Sequence, residues 1–160
     1  VRIFSAVIVI CVLMVMPAIL SVASVGEREG WQVISTDQSY AELLENLRAA
    51  VSAEEMGVVT DVGPTEIAAK RGEEIRGNRV VGVFRNDFAV RAVRANVAAM
   101  IEAPIRFYVT EDKDGTATLS WKTPSHVFSP YFDEGGEKLR AIAEELDTIF
   151  KAIAVRATDG

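Results

Sequence analysis

The sequence predicts an α+β domain: an antiparallel sheet of about five strands with helices packed on one face, preceded by an N-terminal apolar signal or anchor helix. Three observations carry this expectation. Residues 31–36, 105–110 and 116–121 alternate apolar and polar side chains with a period of two, and residues 57–60 and 80–84 add β-branched runs. Residues 40–51 and 139–153 instead repeat apolar residues every three or four positions, as amphipathic helices do. Strands follow one another with few helices between them, which separates this order from an alternating α/β chain.

Taken in order, Ile3 to Leu20 is apolar apart from Ser5 and Pro17 and carries no charge. Its length of roughly 18 residues lies at the low end of what spans a bilayer. Pro17 would break a spanning helix near its end, and Ser21-Val22-Ala23 offers small residues at the positions a signal peptidase reads. Residues 1–23 are therefore expected to be a signal peptide cleaved near Ala23, which sends the domain to the periplasm or another extracytoplasmic space. The alternative is a retained anchor that contacts the membrane through Ile3 to Leu20 and holds the domain outside the inner membrane. Residues 24–30 read as a tether and residues 31–156 as a single domain.

Within that domain Trp31 to Thr36 is a first strand. Thr36 or Asp37 can cap the following helix, and Ser39-Tyr-Ala-Glu42 has capping-box spacing. Tyr40, Leu43, Leu44, Leu47, Ala50 and Val51 then share a buried face. Gly57 to Thr60 starts a second strand, and Pro64-Thr65-Glu66 opens a short helix that runs out by Gly72. Val80 to Phe84 is a third strand. Asn86 or Asp87 caps a helix from Phe88 to about Met100, with Phe88, Val90, Val93, Val97 and Met100 inward and a kink near Asn96. Ile105–Thr110 and Thr116–Trp121 form a hairpin with one core face and one wet face. From Glu134 a long terminal helix packs across the sheet.

Composition excludes several functions. Cys11 is the only cysteine and lies inside the apolar run, so the exported part can hold no disulfide, cysteine nucleophile, cysteine-ligated zinc or covalent haem. That part keeps all but one of the 17 Lys and Arg, Arg2 being lost, against all 23 Asp and Glu. An acidic body repels nucleic acid, and no nucleic-acid partner is expected. Arg76, Arg79, Arg85, Arg91 and Arg94 form the local exception, read first as a solvated face with intrachain ion pairs.

Tempting motifs fail on spacing. Gly72-Glu-Glu-Ile-Arg-Gly77 has the glycines of a phosphate loop, but Asn78-Arg79 stands where Lys and Ser or Thr are needed. Glu111-Asp-Lys-Asp-Gly115 suggests calcium, yet strand replaces the remaining ligands. No G-x-S-x-G occurs, and His126, the sole histidine, has neither a second His nor a Cys for a metal site. No cofactor, metal or catalytic residue is expected.

Phe84-Arg85-Asn86-Asp87, Ala103-Pro104-Ile105-Arg106-Phe107-Tyr108-Val109 and Asp114-Gly115 with the strand to Trp121 resemble the domain of unknown function 302 family. The resemblance spans about Val33 to Tyr131 and is specific from Val80 onward. It implies a TATA-binding-protein-like order of strand, helix, four strands and helix; fold alone carries no DNA binding. The commoner family pattern has Phe-Gly-Asn-Pro where Arg85 and Asp87 stand here, which adds charge and changes the backbone at that turn. The resemblance supplies no catalytic residues.

What remains is a polar set of Arg85, Asn86, Arg106, Tyr108 and His126. Arg106 and Tyr108 share a strand face by the period of two, while Arg85 and Asn86 end another strand. These are the ligand-binding candidates, beside the plainer reading in which Arg106 pairs with an acid and Tyr108 covers the sheet. The preferred function is noncatalytic binding of a small ligand, an anionic one among the options, or of an envelope partner protein. The alternatives are an enzyme with Arg85, Arg106, Tyr108 and His126 in one polar pocket, and a structural homo-oligomer such as a homodimer.

Overall fold

A computed structural model describes residues 25–159. The apolar run and the expected cleavage site near Ala23 lie outside the described residues, in which no helix is long and apolar enough to cross a membrane. The elements are β1 (Trp31–Ser39), α1 (Tyr40–Ala53), β2 (Gly57–Val62), α2 (Thr65–Lys70), β3 (Asn78–Phe84), α3 (Asn86–Ala95), a 3₁₀ turn (Ala98–Glu102), β4 (Ile105–Glu111), β5 (Thr116–Lys122), α4 (Pro124–Phe128), a second 3₁₀ turn (Ser129–Tyr131) and α5 (Phe132–Thr158). The strands form one antiparallel sheet in the order β1-β5-β4-β3-β2. Helices α1, α3 and α4 all pack on α5. The α+β arrangement expected from the pattern is the one observed.

Leu43, Leu44, Leu47, Ala50 and Val51 of α1 and Leu139, Ile142, Ala143, Leu146, Phe150 and Ile153 of α5 are buried against the sheet. The sheet answers with Val81, Val83, Ile105, Phe107, Val109, Ala117, Leu119 and Trp121. Each fully buried large side chain contributes about 1.5–3 kcal/mol of transfer free energy, so this layer supplies the main favourable term. Gln38 at the end of β1 is also buried; its Nε2 donates to the carbonyls of Ala157 and Thr158 at 3.0 and 3.2 Å. Two of the free carbonyls at the end of α5 are thereby satisfied.

Local corrections have local causes. Strand β1 runs on to Ser39, so Thr36 and Asp37 cap nothing: the Thr36 hydroxyl donates to the Ala117 carbonyl at 2.7 Å, and Ser39 alone accepts from the Glu42 N–H at 3.3 Å. At α3 neither Asn86 nor Asp87 is the cap. Arg85 occupies that position with extended backbone and no side-chain cap bond.

Nor is residues 88–100 one helix. Asn96 turns extended (φ −158°, ψ 116°), and its Oδ1 accepts from the Ala98 N–H at 2.8 Å to start the 3₁₀ turn. Within α3 Phe88 and Ala92 take the inward face and leave Val90 and Val93 exposed; beyond the break Val97 is exposed and Ala99 is inside. In the last helix a break at Gly136 (φ 57°, ψ −155°) separates the short first segment from the long rod. Helix α4 had no strong periodic signal; Thr123 caps it by accepting from the His126 N–H, with Pro124 in the first turn.

Candidate ligand-binding face of the sheet

The strand registers set out the helix-free face in rows. The first row runs Trp31, Lys122, Arg106, Gly82, Thr60; the printed pairs Trp31↔Lys122, Gly82↔Arg106 and Thr60↔Gly82 fix most of it, and Phe107↔Trp121 sets Arg106 opposite Lys122. The second row runs Val33, Ser120, Tyr108, Val80, Val62. The third runs Ser35, Thr118, Thr110, Asn78. Charged, apolar-aromatic and neutral polar side chains therefore succeed one another along the strands, each row about 7 Å from the next at the usual rise per residue. Gly82 is required in the first row, because a Cβ there would stand 2.1 Å from the Thr60 hydroxyl and 2.8 Å from the Pro104 ring.

A groove of about 550 Å³ opens on this face, lined by Trp31, Asn78, Val80, Arg106, Tyr108 and Lys122 among others. Among the described residues Arg106 and Lys122 are its only charged lining residues, and both are cations on a chain of formal charge −6. Both are exposed, and neither makes a salt bridge among the described residues. Like charges set opposite each other on adjacent strands repel, so the pairing costs stability unless an anion lies between them. The Lys122 ammonium lies 5.7 Å and the Arg28 guanidinium 5.5 Å from the centre of the Trp31 ring. Asn78 Nδ2 donates to the Tyr108 hydroxyl, which leaves the phenolic proton uncommitted to any described acceptor. Val25 reaches the far end of the face, beside Asn78, Tyr108 and Thr110.

Of the five sequence candidates, Arg106 and Tyr108 meet here. Arg85 and Asn86 do not: Arg85 lies on the helical side, its Nε 2.8 Å from Asp87 and its guanidinium 4.4 Å from the Phe88 ring, while Asn86 is exposed at the start of α3. His126 sits in α4 with its ring directly over Gly30. The four side chains of the single polar pocket are thus not gathered in one place: Arg106 and Tyr108 share the groove, while Arg85 and His126 lie elsewhere. Arg79 pairs with Asp61 and Glu66, Arg85 with Asp87 and Arg91 with Glu145, as the ion-pair reading expects, whereas Arg76 and Arg94 make no salt bridge among the described residues. Lys122 and Asn78 were missed because each lies just past the expected end of its strand; the period of two, continued by one pair, would have placed both on this face.

The concavities at the hairpin turn and on the helical side have structural explanations. At the hairpin turn Glu111 accepts from the Gly77 N–H at 2.7 Å, Asp112 from the Thr118 hydroxyl at 2.7 Å, and Asp114 from the Thr116 N–H and hydroxyl at 3.1 and 2.7 Å. These bonds hold the Asp114 carboxyl below its ordinary pKa. A crevice between α3, α5 and the sheet, lined by Met56, Phe88, Met100, Ile142 and Phe150, holds only about 40 Å³. Among the described residues no cluster of three or more His, Cys, Asp or Glu could hold a metal.

No protein of curated function matches the chain. An uncharacterized conserved protein from Bacillus stearothermophilus, a DUF302 protein by the name of its crystal structure, superposes with a TM-score of 0.71 at 18% sequence identity. The match covers 81% of this chain and 99% of that one, and at such identity it speaks for the fold. The family model of the domain of unknown function DUF302 matches residues 31–154. Strand order, hairpin and family match agree, and the chain belongs to the DUF302 family.

Proposed function

We propose that this domain is exported and acts as a noncatalytic binder of a small anionic ligand, taken up in the groove on the helix-free face of the sheet. The observation that carries the reading is the pair Arg106 and Lys122, facing each other as the only charged residues among the described ones that line the groove. The groove volume lies within the usual range for small-molecule sites, and Tyr108 and Asn78 add hydrogen-bonding groups that fix orientation. Export rests on the apolar run from Ile3 to Leu20 and the small residues before Ser24. Thermal-shift screening with anionic metabolites tests the binding. A stabilising anion whose effect disappears in Arg106→Gln supports it; an unchanged melting temperature across the screen contradicts it. Export is tested by fractionation: a mature N-terminus near Ser24 in the extracytoplasmic fraction supports it, and an uncleaved cytoplasmic chain contradicts it.

A homo-oligomer is the second reading, and one feature favours it. Val97 and Ile101 are 74% and 79% exposed and continue the outward Val90 and Val93 of α3. Such a stripe is a self-association surface. A monomer by light scattering at high concentration removes this reading.

A further inference from the structure

The order of the rows narrows the ligand class beyond an anion. We infer that the groove takes an aromatic carboxylate or similar planar acid that carries one hydrogen-bonding group at the end remote from its acid group. This rests on the binding role proposed above for the same groove. The acid belongs at the first row, where Arg106 and Lys122 supply guanidinium and ammonium donors from neighbouring strands. No carboxylate among the described lining residues competes for them.

The planar body follows from the second row. Tyr108 and Val80 lie side by side there, partly exposed and flanked by Ser120, a surface that is flat, largely apolar and one rung from the cations. Trp31 closes the groove at the β1 side. A flat ring covers such a surface with little loss of conformational freedom, whereas a flexible chain must lose rotamers to do so. A small inorganic anion would fill only the first row and leave the apolar row wet.

The remote polar group follows from the third row. Asn78 points its amide at the Tyr108 hydroxyl, and the phenolic proton is free for an incoming acceptor. Rows about 7 Å apart set the spacing: acid at the first, ring at the second, a hydroxyl or carbonyl toward Asn78. Selectivity then divides between the two ends. The cations reject neutral analogues by leaving their charges unneutralised, and the Tyr108–Asn78 pair favours a ring with a polar substituent over a bare one.

Calorimetric titration of the full chain with 4-hydroxycinnamate, its methyl ester and inorganic phosphate tests this. The expected result is binding of the acid with at least tenfold weaker binding of both the ester and phosphate. Arg106→Gln and Lys122→Gln should each weaken the acid at least tenfold without lowering the unfolding midpoint of the free protein, and Asn78→Ala should narrow the preference for 4-hydroxycinnamate over cinnamate. Phosphate binding as tightly as the acid, lost in Arg106→Gln, would overturn the planar-acid inference and leave the anion site standing. Equal binding of ester and acid would overturn the cation clamp. No binding by the acid or by phosphate would overturn the inference and the proposed function together.

Discussion

Phe107 of β4 stacks on Phe150 of α5, with ring centroids 4.7 Å apart and planes inclined by 15°. Both are fully buried, and Phe107 also meets Trp121 of β5 at 5.5 Å. This triad joins the middle of the sheet to the middle of the longest helix, beneath the face that carries Arg106 and Tyr108. Phe150→Ala should cost about 3–5 kcal/mol, since the site is walled by backbone elements that cannot collapse into the void. Chemical denaturation reads this as a lower midpoint at unchanged slope. Phe150→Leu should cost distinctly less.

Gly30 and His126 make the tightest approach at the entry to β1. Gly30 has φ +72°, and a Cβ there would lie 2.0 Å from the imidazole ring. Gly30→Ala therefore meets both a left-handed backbone and a collision, and the loss should be about 2 kcal/mol or more. Adding His126→Ala removes the collision and leaves the backbone term of about 1 kcal/mol. Thermal unfolding of the single and double variants checks this, with partial rescue as the expected outcome.

Arg91 and Glu145 form a two-pronged pair between α3 and α5, both bonds 2.7 Å. The guanidinium beside it holds the Glu145 carboxyl below the usual carboxylate range, and burial opposes this more weakly. A lowered folded-state pKa means that the contribution is present above the ordinary carboxylate pKa and is lost as pH falls through the folded value. With the side chains 41% and 50% exposed, solvent screening keeps it below about 1 kcal/mol. Glu145→Gln should lower stability slightly at pH 7, and the difference should vanish in strong acid or at 1 M salt.

Thr110 presents an enclosed hydroxyl on the helix-free face with no partner among the described residues. Replacing an unsatisfied buried polar group by an apolar one of the same shape removes a desolvation penalty. Thr110→Val, in a strand that favours β-branched residues, should raise stability by about 1 kcal/mol. The denaturation midpoint measures it.

The sheet was legible because period-two alternation survives in short strands: Ile105, Phe107 and Val109 point inward as their spacing requires. Helices α1 and α5 were legible for the same reason at helical spacing. Helix α3 was not, because Asn96 breaks the phase and Ala92 and Ala99, small residues with a weak hydrophobic signal, take the inward positions that valines seemed to claim. The site was half legible. Parity within β4 joined Arg106 to Tyr108, but whether β3 brings Arg85 or Asn78 beside them depends on inter-strand register, which periodicity within one strand does not encode. Register chose Asn78 and Gly82, and Arg85 turned away into the start of α3.

The most direct test of the central claim is where an anion binds. Backbone amide NMR shifts, followed during titration with 4-hydroxycinnamate, should move at Trp31 to Val33, Asn78 to Val80, Arg106 to Tyr108 and Ser120 to Lys122, the stretches that line the groove or flank its rows. Shifts gathered instead around Met56, Phe88 and Ile142 would put the ligand in the crevice on the helical side and contradict the account.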